Sequence, residues 1–230
     1  MIDTIRQNIR DIEIRISKAC ERSGRKREDV TLIAVSKTFP AEIVRQAYDA
    51  GLRIFGENRP QELREKSQLL PDDIDWHFIG HLQTNKIKYV LPTARLIHSV
   101  DSLHLAQALS EFAQKKNLHV PILLEVNTSG EASKFGFKPE ETAQAFSQIN
   151  ALPHLELCGL MTIGPLTDDV DRIRQAFREL RALRDDVRKQ WGEEKTAILS
   201  MGMSGDFEIA IEEGATHIRL GTAIFGKRGK

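Results

Sequence analysis

Residues 31–56 read TLIAVSKTFPAEIVRQAYDAGLRIFG. The apolar, β-branched run Thr31–Lys37 gives way to a helical pattern from Ala41 to Ala50, and Gly51 separates that from a second short run, Leu52–Gly56. Strand, helix and strand in this order make a parallel unit, because the helix has to return the chain to the starting edge of the next strand. The same alternation continues after a helix from about Pro60 to Leu70. DWHFIG (75–80) precedes TNKIKYVL (84–91), RLIHSVD (95–101) precedes a helix from Leu103 to Lys116, and HVPILLEVN (119–127) precedes one from Pro139 to Ile149. LELCGLMTI (155–163) leads to a long helix with Val170, Ile173, Phe177, Leu180, Leu183 and Val187 on one face. AILSMGM (197–203) leads to a helix opening near Ser204 and Asp206, and THIRLG (216–221) to a short last segment. Eight strand-like runs alternating with helices predict an α/β fold: a single closed (β/α)8 TIM barrel over residues 1–230. An open doubly wound sheet is the alternative.

Before the first strand, Ile2, Ile5, Ile9, Ile12 and Ile16 fall three and four residues apart, which predicts an additional N-terminal helix packing one apolar stripe on the core, with Gly24 as its stop. Its opposite face mixes acidic and basic residues, unlike a membrane-surface helix. The 33 basic and 33 acidic side chains balance. No electrostatic footprint for nucleic acid or a lipid surface results, and small molecules are the expected partners. Cys20 and Cys158 make no disulfide framework, and no apolar segment suggests a signal peptide or membrane span, so a cytoplasmic monomer is expected. The terminal KRGK (227–230) reads as a frayed, solubilising tail.

In a barrel, function collects where strands end. Lys37 closes the first run with the side-chain parity of Ile33 and Val35, which points its ammonium into the barrel mouth. A desolvated lysine there can form an imine with an aldehyde; the other reading is a solvated strand-end lysine. On the last run, Arg219 faces inward if Ile218 and Leu220 face the helices. Its partner is then either an acidic strand residue such as Glu125 or an acceptor on a ligand. Gly221 and Thr222, beside the loop SMGMSGD (200–206), offer amides and a hydroxyl to a phosphate. Ser204 is the best hydroxyl candidate, or else the helix N-cap.

Taken in order, IAVSKT (33–38), FGENRPQE (55–62), WHFIGHLQTNK (76–86), HSVDS (98–102), EVNTSGEASKFGF (125–137), GLMTIGP (159–165), LSMGMSGDFEIAI (199–211) and RLGTAIFG (219–226) resemble the YggS/PROSC family of pyridoxal phosphate homeostasis proteins. The resemblance spans nearly the whole chain. It implies a barrel like the N-terminal domain of alanine racemase, with pyridoxal 5′-phosphate held as a Schiff base on Lys37. It further implies that Arg219 faces the pyridine nitrogen, Asn58 lies near the ring, and Ser204, Gly221 and Thr222 hold the phosphate. Recipient apo-enzymes are the implied protein partners.

Arginine can donate to the ring nitrogen but does not readily hand it a proton, which leaves the ring a poorer electron sink. Racemisation needs an acid/base group on each face of the substrate, and the racemases that this barrel resembles supply the second as a tyrosine from a C-terminal β domain. Tyr48 and Tyr89, the only tyrosines, fall within helical segments. The expected function is therefore cofactor holding in pyridoxal phosphate homeostasis without turnover; the alternatives are a pyridoxal-phosphate-dependent amino-acid racemase and an interaction scaffold with a vestigial site. His81 and, less so, His77, on WHFIGHLQ after the third run, are candidate acid/base groups or loop caps. Lys134 reads as a solvated lysine on the active face, and the histidine spacing argues against a metal site.

Overall fold

The computed structural model describes residues 2–226, with side chains from Asp3 onward. The reading of the Ile2 side chain and that of the KRGK tail lie outside the described residues. All eight expected strands form: β1 Thr31–Val35, β2 Ile54–Glu57, β3 Asp75–Phe78, β4 Leu96–Val100, β5 Val120–Glu125, β6 Leu155–Met161, β7 Ile198–Ser200 and β8 His217–Leu220. They pair in parallel in sequence order, and β8 closes on β1 with Thr31 opposite His217 and Ile33 opposite Arg219. The sheet is a closed barrel, and the doubly wound alternative is excluded.

Parallel strands covered on both faces need apolar residues at successive positions, which β1 and β5 show. Leu32 and Ala34 belong to the large core between barrel and helices, whereas Leu96, Leu123 and Met161 form a separate cluster inside the barrel. The described helices are α1 Ile2–Arg22, α2 Ala41–Asp49, α3 Pro60–Leu69, α4 Ile87–Val90, α5 Leu103–Lys116, α6 Thr142–Asn150, α7 Val170–Trp191, α8 Phe207–Glu212 and α9 Thr222–Phe225.

The isoleucine stripe of α1 docks as expected. Ile5, Ile12 and Ile16 are buried and Ile9 packs against the same core. Polar ties fix the helix over the last units: Asn8 Nδ2 donates to the Ile224 carbonyl at 2.8 Å, and Arg22 meets Glu212 at 2.7 Å. Gly24, at φ +67°, ends the helix in the left-handed region that favours glycine.

Four boundaries differ from the sequence reading. β1 stops at Val35, so Lys37 sits in the turn beyond the strand rather than at its last position. Pro139–Glu141 form a 3-10 turn before α6 begins at Thr142. The helix after β7 opens at Phe207 with Asp206 at its N-cap position. Val170 is half exposed in the first turn of α7, where Asp169 caps the chain by accepting from the amides of Asp171 and Arg172, so the buried face starts at Ile173. Cys20 and Cys158 are free thiols. Among the described residues, no helix is long and apolar enough to cross a membrane.

Ile16 is fully buried whereas Ile14 is 54% exposed. Ile16→Ala should cost about 2–5 kcal/mol in urea unfolding, against less than about 0.5 kcal/mol for Ile14→Ala. Equal small costs would mean that α1 does not dock on the core.

Candidate functional site

A cavity of about 270 Å³ opens where the strands end, and Lys37, Asn58, Ser204, Arg219, Gly221 and Thr222 all line it. Val35, Phe39, Ile79, Ile163 and Met203 supply its apolar wall. The six polar or backbone positions come from the loops after β1, β2, β7 and β8, from β8 itself and from the first residue of α9, so barrel closure is what brings them together.

The turn carrying Lys37 is clamped on both sides by α3. Lys66 Nζ donates to the Ser36 carbonyl at 2.8 Å, and Glu62 Oε2 accepts from the Thr38 amide at 2.7 Å. Lys66 also meets Glu57 Oε1 at 2.6 Å and Glu62 Oε2 at 3.0 Å, while the Ser36 hydroxyl donates to Glu57 Oε1 at 2.7 Å. Thr38 adopts φ +68°, a conformation costly for a β-branched residue, and the Glu62 bond helps hold it. Burial pushes the Glu57 carboxyl above its ordinary range, although Lys66 and Ser36 pull it down.

Arg219 is buried, as its parity predicts. Its Nη1 donates to Ser200 Oγ at 2.6 Å and its Nη2 to the Thr162 carbonyl at 2.8 Å, so its hydrogen bonds go to neutral oxygens rather than to Glu125. Desolvation lowers its pKa to about 10, opposed by the charges of Asp206 and Glu125, and it remains cationic at neutral pH. Glu125 is pushed up to about 7 by burial, then by Asp101, with Arg219 pulling it down.

Asn58 follows β2 directly, and its buried Oδ1 has no hydrogen-bond partner among the described residues. The loop after β3 presses on this segment: a Cβ on Gly80 would lie 2.2 Å from the Asn58 carbonyl oxygen, so only glycine fits there. Ser204 does not cap α8; its hydroxyl accepts from the Ala223 amide at 3.3 Å and ties the loop after β7 to α9. Gly202, at φ +94°, turns that loop; a Cβ there would come within 2.5 Å of Ala210.

The remaining candidates fare differently. His81 Nδ1 lies 2.8 Å from Asp101 Oδ2 with its ring stacked on Phe135, and it is not part of the cavity wall. His77 belongs to β3 rather than to the loop after it and is buried in the barrel, 3.0 Å from His98. Lys134 is held by Glu131 Oε1 at 2.8 Å and the Gly164 carbonyl at 2.7 Å, which corrects the solvated reading. With Glu125 it lines a small adjoining cavity that shares Ile163 with the main one. Among the described residues, no group of three or more His, Cys, Asp or Glu is arranged to hold a metal ion. Sequence reasoning passed over Lys66, although a signal existed: Leu63, Lys66 and Leu70 recur at helical spacing, which puts the lysine on the buried face of α3.

The family model described as alanine racemase, N-terminal domain, matches residues 2–229. A pyridoxal phosphate homeostasis protein of Aquifex aeolicus is 46% identical over 217 residues, covering 93% of this chain and 94% of that protein. The chain belongs to the pyridoxal phosphate homeostasis protein family. The Homo sapiens member is 39% identical, with 96% of this chain and 85% of that protein covered. Among solved structures, PipY of Synechococcus elongatus with PLP bound aligns with a TM-score of 0.80 at 35% identity, covering 92% of this chain and all of that one. A Clostridium difficile alanine racemase, 18% identical with a TM-score of 0.79, shares the fold; it covers 99% of this chain, which spans 58% of the racemase.

Two outcomes follow from the site's charges. Lys66→Met strands Glu57 as a buried carboxylate and should cost about 3–5 kcal/mol at pH 7, much of it recovered in the Lys66→Met/Glu57→Gln double variant; additive losses in urea unfolding would contradict the clamp. The raised pKa of Glu125 means that the folded state binds this proton more tightly than the unfolded state. That contribution is complete below about pH 4, is lost as pH rises through 7, and amounts to at most ~3 kcal/mol. Glu125→Gln should remove it, so the variant gains stability relative to the parent between pH 4 and 8; parallel pH profiles would refute this.

Proposed function

We propose that this chain holds pyridoxal 5′-phosphate as a Schiff base on Lys37 and acts in its intracellular homeostasis without turning over amino acids. The observation that carries this reading is the convergence, in one cavity, of a lysine, a buried guanidinium and a ring of hydroxyl and backbone groups. The residues suit the cofactor's parts. Lys37 offers the amine for the aldehyde, Arg219 a donor for the ring nitrogen, and Ser204, Gly221 and Thr222 hydroxyls and backbone for the phosphate. Asn58, with its buried oxygen lacking a partner, would face a donor on the bound molecule. The PLP-bound PipY relative and the names of the curated relatives support the same assignment. We read residues 1–230 as one such domain, cytoplasmic and monomeric, with apo-enzymes as recipients.

The cofactor's aldehyde captures an amine and its ring accepts electrons from the carbon beyond. What this chain's residues do limits that chemistry. Arg219 donates two of its hydrogen bonds into the barrel and keeps its charge, so it orients the ring nitrogen without giving it a proton. The racemase reading lacks a tyrosine near the cavity: Tyr48 lies on α2, donating to Asp73 at 2.7 Å, and Tyr89 lies on α4.

Borohydride treatment of the purified protein loaded with pyridoxal phosphate, followed by peptide mapping, should place the adduct on Lys37, and Lys37→Ala should lose it. An adduct elsewhere sinks the site. Incubation of the loaded protein with L-amino acids in deuterated water should give no α-proton exchange above free cofactor. Efficient exchange would favour the racemase.

A further inference from the structure

Behind Arg219, away from the cavity, a line of polar side chains crosses the barrel interior. Arg219 Nη1 donates to Ser200 Oγ at 2.6 Å; Ser200 Oγ lies 2.8 Å from His98 Nδ1; and His98 Nε2 lies 3.0 Å from His77 Nδ1. Past His77, its Nε2 approaches Asp75 Oδ1 at 3.6 Å, an electrostatic contact beyond hydrogen-bond reach. Ser200 and His98 are fully buried, and His77 and Arg219 nearly so. The line joins β8, β7, β4 and β3 and reaches the end of the barrel opposite the cavity.

Its direction follows from one fact: an arginine can only donate. Ser200 Oγ therefore accepts from Arg219, and the nearest acceptor for its own proton is His98 Nδ1. If Nδ1 carried a proton, two donors would face the serine oxygen and the buried hydroxyl hydrogen would be left without an acceptor among the described residues, an unfavourable state for a buried donor. With Nδ1 bare, His98 carries its proton on Nε2 and donates to His77 Nδ1. His77 in turn carries its proton on Nε2, toward Asp75.

We propose that Ser200, His98 and His77 form a one-way hydrogen-bond relay that positions Arg219 at the cavity, with both imidazoles as neutral Nε2–H tautomers. The groups facing the relay agree with it. Burial above all, and the permanent charge of Arg219, hold His98 well below the ordinary histidine range. His217, stacked on His77 at 6.2 Å between ring centroids, is lowered to about 3. A cation at His98 would put a second donor, Nδ1–H, against Ser200 beside that of Arg219 and place a second charge behind the guanidinium. His98 and Ser200 are not part of the cavity wall, so they are positioning residues. Their effect on the cofactor rests on the proposed contact between Arg219 and its ring nitrogen.

The relay is tested first on the cofactor-free protein, by the ring 15N shifts of labelled histidines. Both His98 and His77 should show the neutral Nε2–H pattern at pH 7, and an Nδ1–H or cationic His98 would overturn the relay. The second test uses the loaded protein. His98→Asn puts an oxygen where Nδ1 lies and should keep pyridoxal phosphate retention within about twofold. His98→Leu removes the acceptor and should weaken retention about tenfold and shift the pH midpoint of the lysine-adduct absorbance. Two folded variants that both match the parent would overturn the positioning role, whatever the tautomers. If the parent forms no adduct at Lys37, the functional reading falls, while the 15N measurement still decides the relay.

Discussion

A permanent positive charge inside a barrel constrains everything near it. Arg219 cannot shed its proton at neutral pH, yet it is buried and its hydrogen bonds to Ser200 and the Thr162 carbonyl reach only neutral oxygens. The barrel meets this with a carbonyl at the end of β6, a serine on β7 and carboxyl groups set further off. Those distances matter: Asp206 and Glu125 moderate the charge without cancelling it, which leaves the guanidinium available to an electron-rich atom in the cavity. The same charge helps keep His98 and His217 neutral and draws down the pKa of Glu125. The interior therefore has two characters. Leu96, Leu123 and Met161 pack as an apolar cluster, while His77, His98, Ser200 and Arg219 form a polar line beside it.

The cavity's other anchor is held from outside the barrel. Lys37 belongs to a turn whose flanking backbone groups are bound by two side chains of α3 one helical turn apart, and Thr38 keeps a left-handed conformation there. A lysine with four rotatable bonds is a loose tool on its own; fixing the backbone on either side limits where its amine can reach. Positioning thus comes from two sources, a buried relay for the arginine and a helix clamp for the lysine.

The strands were legible because closed parallel sheets demand unbroken apolar runs, and the long helices because their stripes repeat every three or four residues. Lys37 and Arg219 stood out for the same reason: each is a charge set into such a run. Helix starts were less legible. Val170 fits the stripe of α7 by spacing but lies in the capped first turn, and Pro139 opens a 3-10 turn, both decided by local backbone bonding. The relay could not be read at all, since His77 and His98 are 21 residues apart and His98 and Ser200 are 102 apart, and only barrel closure makes them neighbours. Lys66 was hidden by ambiguity. A Glu and a Lys four residues apart on a helix ordinarily form a solvated pair, and here α3 turns that pair inward.

The seam where β8 meets β1 brings Lys37 beside Arg219, Gly221 and Thr222, positions nearly a chain length apart. During synthesis Lys37 emerges well before Arg219, Gly221 and Thr222. No partial barrel can assemble this cavity, because its wall draws on both β1 and β8. The cavity exists only in a chain whose β8 has paired with β1.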